Sequence, residues 1–205
     1  GIFVKKSVME EKLISNKKPF FPISKALMHF LKKYDRWMES SICYEDLLRF
    51  SGSVIVYDKN DNDTLWVRVY YSDSDREEID YHLKTIYTQL YSDGGDSSLP
   101  DLNIDAIDYC TFGNSKPFRI KIRNILNDNF TYFYVKKTDA SRVYGLEFEH
   151  ILSPYNLNYM VNHDTLIEEH IAGIPGDIFI KEYLPDCSAS EKAQIAKEYV
   201  KFNER

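Results

Sequence analysis

Two lysines and two glutamates are the residues whose types and spacing could hold a charged ligand. Lys136 and Lys137 end the apolar run that begins at Phe133, and Glu147 and Glu149 lie on the helix predicted to follow. Successive strand side chains point to opposite faces, so only one lysine can serve a given site; the register favours Lys136, with Lys137 as the alternative. The two glutamates lie about 200° apart around a helix, so only one of them can reach that lysine. A lysine ammonium at such a position can bind an anionic group.

Two further segments have the composition of ligand-binding turns. Thr165–Ile171 is predicted to be a strand with acidic residues near its end, and the sequence Gly-Ile-Pro-Gly follows it at 173–176. Gly113 stands in the turn-rich segment Thr111–Phe118. Glycine amides in such a loop can cradle an anion.

The elements that must position these residues follow from periodicity. Leu27, Phe30, Leu31 and Tyr34 are spaced as one face of a helix that Ser24 can cap. Alternating apolar residues predict strands, and polar turns such as Asn127-Asp128-Asn129 predict hairpins between them. Further helices are predicted over 77–90, with Ser74 or Asp75 as cap, over 143–152, with Asp139 or Ser141 as cap, and over 190–205. The pattern predicts an α+β fold.

Three regions are predicted along the chain. Residues 1–92 form a helical N-terminal extension and a ββα unit, and residues 93–102 form a linker rich in Gly, Ser, Asp and Pro. Residues 103–205 form an antiparallel sheet with one packed helix, and then the start of a following helix.

Composition excludes several classes of partner. The formal net charge is −6 and the apolar runs are short, so the chain is expected to bind neither nucleic acid nor a membrane. Cys43, Cys110 and Cys187 are odd in number and widely spaced, which predicts no metal site and favours a reducing compartment, the cytoplasm.

From Ile104 onward the predicted order is strand, strand, strand, helix, strand, strand. This order resembles the N-lobe of the protein-kinase-like fold, in its atypical and small-molecule-kinase branches, over residues 103–184. The resemblance implies that Lys136 contacts the phosphates of ATP, that Glu149, thirteen residues on, holds the lysine, and that Gly113 lies in the phosphate loop. It also implies a hinge that binds adenine through Glu169, His170 and Ile171, with Leu166 or Ile167 lining the pocket.

The resemblance further implies an ATP-binding part of an atypical kinase-like phosphotransferase that is incomplete in this chain. The catalytic base and the Mg²⁺ ligands of the family lie in a C-lobe, and about 30 residues follow the predicted hinge without a His-Arg-Asp or Asp-Phe-Gly motif. The expected partners are therefore ATP and either that C-lobe or another protein, with Mg²⁺ bound only when the C-lobe is present.

The alternative is a non-catalytic domain for protein–protein interaction, such as an adaptor, effector or inhibitor. The sequence contains 16 Tyr, together with Trp37 and Trp66, and these residue types are favoured as interface anchors. Nucleotide separates the two hypotheses, because an interaction domain has no reason to bind ATP.

Overall fold

The computed structural model of the protein describes residues 19–40, 42–91, 99–152, 157–171 and 184–203. These ranges contain five α-helices: α1 (Lys25–Lys33), α2 (Tyr44–Leu47), α3 (Asp73–Leu90), α4 (Ala140–Leu152) and α5 (Ala189–Asn203). They also contain seven strands: β1 (Gly52–Tyr57), β2 (Asp63–Tyr70), β3 (Leu102–Cys110), β4 (Phe118–Asn124), β5 (Phe130–Lys137), β6 (Tyr159–Asn162) and β7 (Thr165–Glu169). The predicted α+β class is confirmed.

The strands form one antiparallel sheet with the order β1-β2-β3-β4-β5-β7-β6. Residues 93–98 of the predicted linker lie outside the described ranges, and Leu99–Asp101 form a short 3-10 turn that leads into β3. Strand β2 pairs with β3, with Trp66 opposite Cys110. The sheet therefore includes β1 and β2 of residues 1–92 as well as the five strands of residues 102–169.

One face of the sheet packs against α2 and α3 and forms the larger core. Helix α3 directs four apolar residues at helical spacing towards the sheet: Ile79, Leu83, Ile86 and Leu90. The strands meet them with alternate residues, which include Phe118, Ile120, Ile122, Phe133 and Val135. The period of two in β4 and β5 thus decides which side chains are left for the opposite face.

The opposite face is covered by α1 and α4 at its β6–β7 end. Leu27 and Leu31 of α1 and Val143 and Leu146 of α4 pack there with strand residues in a second core. Further along this face, β2–β5 present a group of side chains that belong to neither core. We call this group the polar face; its members are Trp66, Arg68, Asp108, Arg119, Lys121, Tyr132, Tyr134 and Lys136.

The helix starts follow side-chain capping. Ser24 caps α1, as predicted, because its hydroxyl accepts a hydrogen bond from the Leu27 amide at 3.2 Å. Helix α3 is capped by Ser72 rather than by Ser74 or Asp75, since the Ser72 hydroxyl reaches the Asp75 amide. At the start of α4, a carboxylate oxygen of Asp139 accepts from the Arg142 amide at 3.2 Å.

Candidate functional site

Lys136 lies on the polar face in a cluster of three charged side chains. Its ammonium Nζ is 2.7 Å from Oε2 of Glu168, and Nη2 of Arg142 is 3.0 Å from Oε1 of the same carboxylate. Glu168 is buried, whereas the Arg142 side chain is half exposed. Two cations share one carboxylate, so the cluster carries a net positive charge at the surface of an acidic protein.

The ion pair predicted between Lys136 and Glu149 is replaced by this arrangement. In the β5–β7 register, Leu166 lies opposite Lys136 and Glu168 lies opposite Tyr134, so Glu168 is a diagonal neighbour within reach of a long lysine side chain. Glu149 is exposed on α4. The helix contributes a cation, and the neighbouring strand contributes the carboxylate.

Glu147, the other predicted candidate, belongs to the core. Its Oε1 is 2.9 Å from Nε of Arg36 and accepts a hydrogen bond from the Tyr159 hydroxyl. Burial and this hydrogen bond raise the pKa of Tyr159. Glu147 therefore holds α4 against β6 and the segment around Arg36, and it is not available to the polar face.

Lys137 points away from Lys136 and marks one end of the candidate site. Its Nζ is 2.6 Å from Oε1 of Glu45, and this hydrogen bond raises the pKa of the lysine. A cavity of about 320 Å³ is lined by Lys137, Thr138, Asp139, Arg142 and Asn114, together with Pro19 and Phe20. Arg142 lines this cavity and also contacts Glu168, so the cavity and the Lys136 cluster are contiguous.

Gly113 lies in the exposed loop between β3 and β4, next to Asn114 of that cavity. Its φ of +82° is a conformation that glycine adopts without a steric penalty. A Cβ atom built at this position would meet nothing within 4 Å, so the backbone angle and not a close contact accounts for the glycine. The loop that the sequence suggests as a phosphate loop thus reaches the cavity beside Arg142.

Aromatic side chains continue the site along β5. The Tyr134 hydroxyl is 3.0 Å from Nδ1 of His170, and the imidazole ring lies 5.6 Å from the ring of Tyr132. Burial raises the pKa of Tyr134. The exposed His170 therefore covers two tyrosines immediately beside the Lys136 cluster.

A stacked arginine extends the aromatic band towards β2. The guanidinium of Arg119 lies 4.3 Å from the Trp66 ring centre and 5.6 Å from that of Tyr132. Asp108, which is buried, accepts from Nη2 of Arg119 at 2.9 Å and from Nε of Arg68 at 3.0 Å. The carboxylate fixes the guanidinium between the two rings, so the polar face is ordered before any ligand arrives.

The predicted hinge residues divide into core and surface. Leu166 is buried in the second core and Ile167 in the larger core, so neither lines an open pocket. The reason is that β7 is an interior strand between β5 and β6, with helices over both of its faces. The Glu169 amide donates to the Asn158 carbonyl at 3.0 Å. His170 and Ile171 are exposed, and the turn at 173–176 lies outside the described residues.

Sequence reasoning missed the residues that complete the site. Tyr132 and Tyr134 share a face with Lys136 by the period of two, so alternation alone was a sufficient signal for them. Glu168 and Arg142 are close to Lys136 only through the β5–β7 register and the packing of α4, for which the sequence has no local signal.

No family model matches this chain, and no curated protein or solved structure matches it. In the part of the chain that the structure describes, no helix is long and apolar enough to cross a membrane.

Proposed function

We propose that the chain is the ATP-binding part of an atypical kinase-like phosphotransferase, and that ATP binds on the polar face around Lys136. The observation that carries the proposal is the contiguity of cations and aromatic rings at one place. Lys136 and Arg142 flank a buried carboxylate, and Tyr134 and His170 lie directly beside them. The order of elements from β3 to β7, which is three strands, a helix and two strands, also supports it.

The phosphate groups bind at the end of the site formed by Lys136 and Arg142. Both side chains donate charge-assisted hydrogen bonds, and Glu168 holds them in position without neutralising both. The cavity beside Arg142 lies next to the Gly113 loop, whose backbone amides are suited to a phosphate oxygen. Glu168 thus performs the positioning role that the resemblance assigns to a helix glutamate.

The adenine ring binds at the end formed by Tyr134 and His170. Side chains two residues apart on a strand are separated by about 7 Å, so Tyr132, Tyr134 and Lys136 form a row that leads from rings to charge. Stacking of a nucleobase on an aromatic ring contributes about 1–3 kcal/mol. Of the predicted hinge residues, His170 and Ile171 are exposed directly after β7 and lie at this end of the site.

Magnesium requires ligands that this arrangement lacks. Among the described residues, no group of three or more His, Cys, Asp or Glu side chains could hold a metal ion. In the proposed function the metal is held by residues of a C-lobe. The residues described here bind and orient the nucleotide.

We expect the chain alone to bind ATP weakly, with a dissociation constant on the order of 1 mM, equivalent to about 4 kcal/mol. The reason is that water screens the contacts of an open face and no metal neutralises the β- and γ-phosphates. A ¹⁵N NMR titration should shift the amide signals of Tyr134, Lys136 and His170. Mg²⁺ should not tighten binding, and a radiolabel assay should detect no phosphotransfer.

A matched pair of variants makes this titration specific. Lys136→Met should weaken ATP binding about five-fold, since it removes one charged contact at a position that is only 25% exposed. Lys59→Met makes the same change of charge in the exposed β1–β2 turn and should leave the affinity unchanged. Signal shifts confined to other surfaces, or equal effects of the two variants, would contradict the proposal. Micromolar, Mg²⁺-dependent binding would instead indicate a self-contained nucleotide fold.

A second candidate function is protein–protein interaction, and one observation favours it. An apolar groove of about 320 Å³ runs between α1 and α4, and it includes Phe148 and Ile151, which are 61% and 72% exposed. Helix α1 contains Lys25, Lys32 and Lys33 and no acidic residue, which suits an amphipathic helix with acidic flanks from a partner protein. If this were the whole function, ATP would leave the signals of Tyr134 and His170 unchanged.

A further inference from the structure

Strand β1 forms one end of the seven-stranded sheet, and its outer edge is unpaired among the residues that the structure describes. It pairs with β2 on one side only, from Gly52 opposite Tyr70 to Tyr57 opposite Asp63. Within the ranges that the structure describes, no strand pairs with its other side. Half of the strand's backbone donors and acceptors therefore point outwards, where another extended chain can bond to them.

The β6 end of the sheet is covered by another segment of the chain. Strand β6 is covered by the segment Arg36–Met38, in which the Met38 amide donates to the Val161 carbonyl at 2.9 Å and the Arg36 carbonyl accepts from the Val161 amide at 2.8 Å. Trp37 forms a parallel bridge with Val161, and the Asn162 side chain donates to the Met38 carbonyl at 2.6 Å. The fold thus caps the β6 edge with its own backbone, whereas no described residue pairs with the outer edge of β1.

The outer edge of β1 has few of the features that normally prevent association. Its sequence, Gly-Ser-Val-Ile-Val-Tyr, contains no charge and no proline. Val54, on the polar-face side, is 58% exposed, and Ile55, on the opposite side, is 44% exposed. One irregularity, between Ile55 and Tyr57, confines regular pairing to the first part of the strand. An uncharged, exposed strand of this kind is suited to a second strand.

We propose that the edge of β1 binds the β1 edge of a second copy of the chain in an antiparallel pair, which continues the sheet across a two-fold axis. Two identical strands in antiparallel register satisfy each other's outward backbone groups, and the interface is self-complementary. The protein carries a net charge of −6, which opposes self-association over most of its surface, but the six residues of β1 carry no charge. A second copy that pairs with β1 therefore meets no like charge within this strand.

The dimer is weak because the interface is small. Stable interfaces bury about 1,200–2,000 Å², and pairing of one six-residue strand with another falls below this range. We expect a dissociation constant on the order of 10–100 µM. The protein is thus monomeric at low micromolar concentration and dimeric near millimolar concentration.

Sedimentation equilibrium from about 5 µM to about 1 mM tests the proposal. The wild-type chain should show a reversible monomer–dimer equilibrium, and Val54→Lys should raise its dissociation constant at least ten-fold by adding a positive charge to each of the two paired strands. Tyr70→Lys is the matched control, because Tyr70 is 48% exposed on β2, a strand that is paired on both sides. It should leave the dissociation constant within about two-fold of wild type.

Two further measurements make the result decisive. Circular dichroism and thermal melting check that both variants are folded. We expect them to be folded because both substitutions are at exposed positions. In wild type, amide exchange of β1 should slow as the concentration rises through the dissociation constant. A monomer at all concentrations overturns the proposal, as does a dimer that Val54→Lys leaves intact or that both variants weaken equally.

Discussion

Replacing Arg36 by methionine should lower the free energy of unfolding by about 3–5 kcal/mol. Arg36 is the cation that faces Glu147, a carboxylate buried between α4 and β6, and their side chains approach to 2.9 Å. Without the guanidinium, the Glu147 carboxylate keeps the hydrogen bond that it accepts from the Tyr159 hydroxyl, but it loses its positively charged partner. An unpaired charge in a buried position costs far more than the pair contributes. Urea denaturation followed by circular dichroism measures the change.

The control for this prediction is an exposed ion pair. Arg49 pairs with Asp46 at 3.1 Å, but its side chain is 68% exposed, so Arg49→Met should cost less than about 1 kcal/mol. Adding Glu147→Gln to Arg36→Met should restore part of the lost stability, because it removes the uncompensated charge. If Arg36→Met and Arg49→Met lowered stability equally, the buried pair would not have the role assigned to it.

Raising the pH above about 10 should unfold the protein cooperatively. Burial raises the pKa of Tyr71 and of Tyr44 well above the ordinary value of 10, and it raises the pKa of Tyr91 to about 12. Above pH 10, the unfolded chain loses these protons and the folded chain keeps them. The stability that they contribute is therefore fully present below pH 10 and is lost as the pH rises through the folded values. Absorbance at 295 nm, recorded with circular dichroism, follows both events.

Ionisation of the buried tyrosines should coincide with unfolding in this titration. Their absorbance change should appear together with the loss of secondary structure, because burial raises their pKa values. Tyr81 is exposed and provides the control substitution. Tyr81→Phe should leave the alkaline midpoint unchanged. Ionisation of all 16 tyrosines in one step near pH 10, with constant circular dichroism, would refute the prediction.

The local elements of the fold could be predicted because each has a signal within a few residues. Ser24 and the helical spacing of Leu27 and Leu31 define α1, and the polar turn at 127–129 separates two alternating runs that pair as β4 and β5. Nothing local indicates that β2 pairs with β3 across the Gly- and Ser-rich stretch, since long-range pairing depends on packing of the whole sheet. The sequence alone therefore does not reveal that β1 and β2 belong to the same sheet as β3–β7.

The candidate site could be predicted only in part for the same reason. The choice of Lys136 over Lys137 followed from alternation, and the two lysines do point to different partners. The choice of Glu149 relied on spacing along the chain, and the structure gives Lys136 the carboxylate of Glu168 instead. A contact between neighbouring strands depends on register, which a single sequence does not reveal.

The position of β7 between β5 and β6 has a consequence for synthesis on the ribosome. The chain completes β6 before β7, yet β6 has no place in the sheet until β7 has paired with β5. While residues up to Asn162 are emerging, the backbone edge of β5 that later pairs with β7 therefore stays unpaired. The β6–β7 hairpin must then dock as a unit. A nascent chain that stalls before Thr165 would lack two strands rather than one, and it would be a natural substrate for chaperones.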